Sequence, residues 1–348
     1  MIRNVIFGVI TLLMTYVVYI YPFEVLGHLL ADTALFNPMA LIPTCLIAGL
    51  IFYYLRSHST APVLQGITHY GMGIGFIGLW VFNAGLLASV FLPDFKFQIG
   101  ILSVGLFIVI CIKAIWNGQK ITFKELHLTS PKLKKPVQII FISDVHLGSN
   151  TPRHLTKICQ MLHSVDFDYL LIGGDLFDAS SFQAEQLTPL LSIQKPIYFV
   201  TGNHEYYVQD HSTKLAALEQ YNIETLDNSA VMLGDIHLIG IDDHQPVAAQ
   251  SEAVQKLVAP DLFNLVMVHQ PALWHNPPAH VDLMLSGHTH NGQIFPFNYL
   301  VRLQFKAVYG LYEQLGGKIY VSSGSGTWGP KMRLGTQNEI VRIALLPG

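Results

Sequence analysis

Charge is what this sequence has least of. Asp, Glu, Lys and Arg make up 12% of its 348 residues against 51% hydrophobic, where a typical soluble domain carries roughly 25% charged. The shortage is concentrated near the N-terminus, since residues 4–23, 33–55, 57–93 and 97–112 carry no charge at all. That pattern excludes an ordinary soluble domain there. Cysteine is also scarce: Cys45, Cys111 and Cys159 are the only three. They sit at neither metal-ligand nor disulfide spacing, so a disulfide framework and a thiolate zinc site are both excluded. The net charge of −3 gives no basic excess, and no nucleic-acid partner is indicated.

The uncharged stretches are long enough to cross a bilayer, which takes about 20 apolar residues per helix. Four spans are expected, at about 4–21, 38–55, 66–92 and 98–116. The first is not a cleavable signal. Its leading segment is only Met-Ile-Arg-Asn, no small-x-small site follows Tyr21, and more spans come after it. Arg3, Arg56, Lys120, Lys124, Lys132, Lys134 and Lys135 fall on one side of such a topology. Lys96 stands alone on the other, beside Glu24, Asp32 and Asp94. The bias places both termini and the C-terminal half in the cytoplasm. Gly73-Ile-Gly75-Phe-Ile-Gly78 satisfies a dinucleotide-binding pattern but lies inside an uncharged stretch without a preceding soluble strand. Gly71 and Gly75 read better as a close-packing helix face. His28, His58 and His69 read as polar residues at span ends. No charges pair into an ion path, so a transporter lacks support.

The expected organisation is a membrane region at 1–118, a linker or edge strand at 119–135, and one α/β domain at 136–348. Lys132, Lys134 and Lys135 could touch anionic headgroups or simply solvate the linker. Within 136–348, polar residues recur just after short apolar runs that read as buried strands. Asp144-Val145-His146 follows 137–142. Gly174-Asp175-Leu176-Phe177-Asp178 follows 169–172. Gly202-Asn203-His204-Glu205 follows 197–200. His269 follows 265–268, and Gly287-His288-Thr289-His290 follows 283–285. Strand ends converge on one rim of a sheet, so these side chains should meet. Later runs at 235–241, 318–322 and 339–345 suggest a second sheet layered on the first.

Carboxylates, imidazoles and an amide without thiolate suit Mn²⁺, Fe²⁺ or Zn²⁺. Two such ions about 3.5–4 Å apart can share a carboxylate, acidify a water and neutralise charge on a phosphoryl group. In order and spacing, the five motifs D-x-H, G-D-x-x-D, G-N-H-E, H and G-H-x-H resemble the calcineurin-like metallophosphoesterase family, over essentially all of 136–348. The resemblance implies a four-layer αββα sandwich behind the four-helix membrane region. It implies that Asp144, His146, Asp175 and His290 hold one metal ion. Asp175 would bridge to a second, completed by Asn203, His269 and His288. His204 would be the general acid or a phosphate contact, oriented by Asp178. The family's protein phosphatases carry an Arg soon after the second motif, where this chain has Ala179-Ser180-Ser181, which argues against that activity.

The stretches 287–302 and 320–330 resemble the membrane-associated bacterial branch of the family, of YkuE and YaeI type, and one class of UDP-2,3-diacylglucosamine pyrophosphatases. This implies a bacterial inner-membrane protein that hydrolyses a phosphodiester or pyrophosphate, with a nucleotide-linked glycolipid as a candidate substrate. Alternatives are a broad phosphodiesterase acting on lipid headgroups or nucleotides, and a metal-bound adaptor without turnover. The apolar, aromatic segment 294–311 directly after His290 reads as a membrane-facing lip or as core. Arg153 and Arg333 are candidate phosphate clamps. Asp242-Asp243-His244 reads as a polar loop tip and is left out of the site.

Overall fold

A computed structural model describes residues 2–57 and 61–348. His58 lies outside the described residues, and so do the side chains of Arg3 and Arg56. The chain divides into two compact units: Met1–Trp116 with Gly329–Leu334, and Asn117–Trp328 with Gly335–Gly348.

In the first unit, three described helices are long and apolar enough to cross a membrane: Val5–Ala31, Val63–Phe91 and Pro93–Gly118. Four were expected. The second stretch, Pro38–Tyr54, is helical and apolar but shorter than the others. The first helix also runs on past the expected end at residue 21. Glu24 lies within it, accepting from the Tyr16 hydroxyl at 2.6 Å and from the Asn37 N–H at 2.8 Å. Lys96 pairs with Asp32 at 2.5 Å and meets His28 at 3.0 Å. The glycine face packs as read: a Cβ on Gly71 would meet the Tyr19 ring at 2.5 Å, and one on Gly75 would strike the Val18 carbonyl.

The second unit holds two six-stranded mixed sheets. One has the order β1 (Ile121–Ser130), β12 (Asn338–Pro347), β2 (Val137–Ile142), β3 (Tyr169–Gly173), β4 (Ile197–Val200), β5 (Ile223–Thr225). The other runs β10 (Gly310–Gln314), β11 (Gly317–Val321), β9 (Leu283–Ser286), β8 (Phe263–Met267), β7 (Ile236–Gly240), β6 (Ser229–Leu233). Apolar runs without alternation form the central strands because both faces are covered. In β2, Ile139 and Phe141 point into the core between the sheets, while Ile140 and Ile142 join an outer core with helix Pro152–Leu162. In β8, Leu265 and Met267 face inward, and Val266 packs outward with Val254 of helix Val247–Leu257. The layers are thus helix, sheet, sheet, helix: an αββα sandwich.

One strand belongs elsewhere than expected. The 339–345 run was assigned to the second sheet, yet β12 lies in the first, parallel to β1 and antiparallel to β2. It is the partner that turns the segment after residue 120 into an edge strand. Of the three linker lysines, Lys132 bonds Asp282 at 2.9 Å and Lys134 lies 3.8 Å from Asp235. Those two are engaged by acidic residues of their own unit.

Candidate metal centre

All five motifs lie at C-terminal strand ends or in the loops after them. The first two loops are laced together by backbone bonds: Asp144 N–H to the Gly174 carbonyl at 3.0 Å and His146 N–H to the Asp175 carbonyl at 2.9 Å. Asp144, His146, Asp175, His288 and His290 all have positive φ, between 48° and 69°. A left-handed residue costs roughly 1–2 kcal/mol, and such strain collects at functional sites. Gly174 has φ +87°, and a Cβ there would meet His269 Nδ1 at 2.6 Å. Only glycine lets the imidazole approach so closely.

Three groups of side chains converge within 4.8 Å of one another: Asp144, His146 and His290; Asp175, His269 and His288; and His146, Asp178 and His204. In the first, His146 Nε2 faces His290 Nε2 at 3.1 Å and lies 3.7 Å from Asp175 Oδ2. Asp144 accepts from the Ser143 hydroxyl at 2.5 Å and from the His288 N–H at 3.0 Å. In the second, His269 Nε2 sits 3.0 Å from Asp175 Oδ2 while its Nδ1 meets the Gly173 carbonyl at 2.8 Å. That carbonyl holds Nδ1, so a metal ion at Nε2 would take the place of the proton that Nε2 shares with Asp175. Asp175 touches both groups, as a bridging carboxylate must.

The electrostatics fit cations. Asp144 and Asp175 are buried, with no lysine or arginine among their described ion pairs. Burial would raise Asp175, but the neighbouring His269 charge holds its carboxyl well below the usual range. His288 is pushed down to about 3 by burial, helped by the charge of His269, and stays neutral. His146 Nδ1, His269 Nε2 and Asn203 Oδ1 are buried without a hydrogen-bond partner, the two imidazole nitrogens lying 3.3 and 3.0 Å from the Asp178 and Asp175 carboxylates. An orphaned amide oxygen beside an imidazole set against a carboxylate is what a divalent ion would satisfy.

His204 borders this cluster. Its ring meets those of His146 at 4.8 Å and Trp328 at 5.6 Å, and its backbone N–H donates to Asp175 Oδ1 at 2.9 Å. Burial pushes its pKa down to about 4, so the imidazole is neutral near pH 7. The resemblance made Asp178 its partner. Asp178 lies near His204, but its short contacts go to His146 Nδ1 at 3.3 Å and to Ser149, through the hydroxyl at 2.6 Å and the N–H at 2.9 Å. Burial would raise Asp178, but the His146 bond holds it down to about 2. It therefore orients a candidate ligand. Of the two arginines, Arg153 is exposed on the first turn of helix Pro152–Leu162. Arg333 is fully buried, in the segment that groups with the membrane unit.

Two groups went unassigned in the sequence. Glu205 is fully buried and accepts four backbone N–H bonds, from Asp175, Leu176, Phe177 and Gly202 at 2.7–3.1 Å. It ties the second motif to the third. Burial pushes its pKa up to about 7, with the Asp175 charge adding, while bonds from Phe177 and Gly202 pull it back. Asp242 and Asp243, set aside as a loop tip, are 7% exposed. Asp242 accepts from the Thr201 hydroxyl at 2.7 Å and from Tyr206. Asp243 accepts from Gln270, next to His269, at 2.8 Å, and its Oδ1 is buried without a hydrogen-bond partner. A polar cluster after a strand was the available signal, and it does not distinguish a buried brace from an exposed tip.

The chain is similar in sequence to known proteins. The family model for calcineurin-like phosphoesterases matches residues 137–292. An uncharacterized metallophosphoesterase of Helicobacter pylori is 37% identical over 238 residues, which are 64% of this chain and 64% of that protein. A bovine "transmembrane protein with metallophosphoesterase domain" is 32% identical over 249 residues, 63% of this chain and 55% of its own length. An Aquifex aeolicus metallophosphoesterase is 31% identical over 222 residues, 60% of this chain and 85% of that protein. The chain spans less than two thirds of the length of the first two of these relatives, and the names of all three carry the word metallophosphoesterase. With five motifs on one rim and a relative aligned over most of its length, the chain belongs to the calcineurin-like phosphoesterase family.

Proposed function

We propose that this chain is a membrane-anchored, dinuclear metal-dependent phosphoesterase that cleaves a phosphodiester or pyrophosphate bond, with UDP-2,3-diacylglucosamine, giving UMP and an acylated sugar phosphate, as the first substrate to test. The observation that carries the reading is the convergence of Asp144, His146 and His290, and of Asp175, His269 and His288, within 4.8 Å, with Asn203 Oδ1 buried and without a hydrogen-bond partner. Asp144, His146, Asp175 and His290 would hold one ion, and Asp175, Asn203, His269 and His288 the other. Manganese, iron and zinc all suit this donor set. When bound, the pair would supply positive charge against the phosphoryl oxygens and lower the pKa of a water.

The chain's own residues do the rest. Asp178 holds His146 through Nδ1, and the Gly173 carbonyl holds His269 through Nδ1, so each ring presents Nε2. Glu205 locks the loops that carry Asp175 and Asn203. His204, neutral and beside Trp328, offers one N–H to a phosphoryl or leaving-group oxygen. A bound phosphate would raise its pKa and make it a better acid. Arg153, exposed near the D-x-H loop, is the candidate contact for a distal phosphate, with Arg333 as the second. We place the protein in a bacterial inner membrane, with its catalytic unit cytoplasmic by the lysine and arginine bias.

The test is hydrolysis by the detergent-purified full chain with added Mn²⁺, on UDP-2,3-diacylglucosamine and on a bis-aryl phosphate, with Asp175→Ala as control. Asp175-dependent UMP release supports the whole reading. Cleavage of the aryl diester alone moves the substrate to other lipid headgroups or nucleotides. Absence of both activities in metal-loaded protein leaves the adaptor reading.

A further inference from the structure

The helix Phe297–Gln304 is amphipathic the wrong way round. Phe297, Tyr299, Leu300 and Leu303 are 46%, 56%, 56% and 84% exposed, and Phe295 just before them is 49% exposed. At about 100° per residue, the four helical positions fall within an arc of roughly 160°. No residue of this helix is buried. Its inward side carries Asn298, whose Oδ1 is buried without a hydrogen-bond partner. A contiguous apolar face presented to water is an interaction surface rather than a packing accident.

Three features of the chain identify what covers it. From residue 291 to 312 the only charged residues are Arg302 and Lys306, with no acid. The Arg302 guanidinium lies 5.7 Å from the centre of the Tyr299 ring. Aromatic and leucine side chains on one face with a flanking cation make up an interfacial membrane helix. The spanning helix Pro93–Gly118 is followed after two residues by β1, so the catalytic unit is tethered to a bilayer. The helix also adjoins the site. His290 precedes it by seven residues. Gln293 clasps Trp328 through both amide atoms, at 2.9 and 3.1 Å, and the Trp328 ring packs on His204.

We propose that Phe297–Gln304 lies in the interface of the anchoring bilayer, with Phe297, Leu300 and Leu303 among the acyl chains and Arg302 and Lys306 at anionic headgroups. It presents the metal centre with phosphoesters held in that bilayer. The presentation step rests on the phosphoesterase reading above, whereas the docking step does not.

Docking is tested on the full chain in liposomes containing an anionic lipid. Leu303→Cys is labelled with an environment-sensitive fluorophore in a Cys45→Ser background, since Cys111 and Cys159 are buried. Quenching by nitroxide-bearing lipids, with protection from iodide, is the expected result. Quenching by iodide alone overturns docking. Protection from both quenchers also overturns it, and assigns the face to a protein. Presentation is tested with Leu300→Glu/Leu303→Glu on two aryl phosphodiesters of matched chemistry. One is a nitrophenyl phosphodiester of diacylglycerol in the liposome, and the other is soluble bis-nitrophenyl phosphate. A fall of about tenfold or more on the lipid diester is expected, from the lost apolar insertion, with the soluble diester unchanged. Equal effects on both, or none, overturn presentation. A wild-type chain inert on both diesters sinks the phosphoesterase reading, and the quenching result stands by itself.

Discussion

The two halves of the candidate metal centre are braced differently. Around Asp144, His146 and His290 the bracing comes largely from side chains: the Ser143 hydroxyl for Asp144, Asp178 3.3 Å from His146 Nδ1, and the two imidazoles facing each other. Around Asn203, His269 and His288 it comes from the backbone, where the Gly173 carbonyl meets His269 Nδ1 at 2.8 Å. Each half keeps a buried imidazole nitrogen without a hydrogen-bond partner, His146 Nδ1 and His269 Nε2, and the second keeps the amide oxygen Asn203 Oδ1 as well, with Asp243 Oδ1 orphaned on the brace nearby. An orphaned atom carries its desolvation cost until a metal arrives. The second half should therefore gain more from its ion, and should show more clearly when the ion is removed.

The sharpest way to break this comparison is at the residue common to both. Asp175→Ala should reduce hydrolysis by about a thousandfold or more, the scale of a catalytic metal centre. Metal analysis should show both ions lost; retention of two would refute the bridging role. His204→Ala spares the ligands. Hydrolysis should fall by about 10²–10⁴-fold with metal content unchanged, and parallel loss of metal would make His204 a ligand instead. Asp178→Asn separates the halves. It should weaken binding at the first position by about 10–100-fold and leave the second intact, as read by stepwise metal titration. An effect confined to His204-dependent chemistry would restore the role expected from the motifs. Glu205→Gln places an amide among four N–H donors and should cost about 1–3 kcal/mol. The loss is read from thermal unfolding in the metal-free state, and an unchanged melting temperature would deny Glu205 its locking role. Asp243→Asn should act least, lowering second-position affinity by less than about tenfold. A loss as large as that from Asp178→Asn would make the two halves equally braced.

The candidate ligands stand out in the sequence because their chemistry opposes their surroundings. An Asp, Asn or His directly after four buried apolar residues has little packing use, so its placement signals function. Central strands such as β2 and β4 were legible for the same reason, as apolar runs with sharp ends. What escaped the sequence depends on long-range pairing. β12 reads identically whether it joins either sheet; only its register against β1 and β2 decides. Glu205 looks like one more polar residue of its motif until four N–H groups from two loops close on it. Asp178 was read by likeness to a family, while the nearest imidazole proved to be His146. In the membrane unit, the first helix runs past its expected end with Glu24 inside it, because Tyr16 and Asn37 neutralise the cost of that residue.

The segment Gly329–Leu334 sets a practical boundary on biochemistry. Met332 and Arg333 are fully buried, and their segment belongs to the membrane unit although it comes from the far end of the chain. Cutting at residue 118 to obtain a soluble enzyme would therefore not release a self-contained piece. It would strip six residues of their packing and leave an arginine and a methionine without the environment that buries them, just after Trp328, which flanks His204. A soluble fragment should thus misreport both its own solubility and its turnover, and the full chain in detergent is the form to assay.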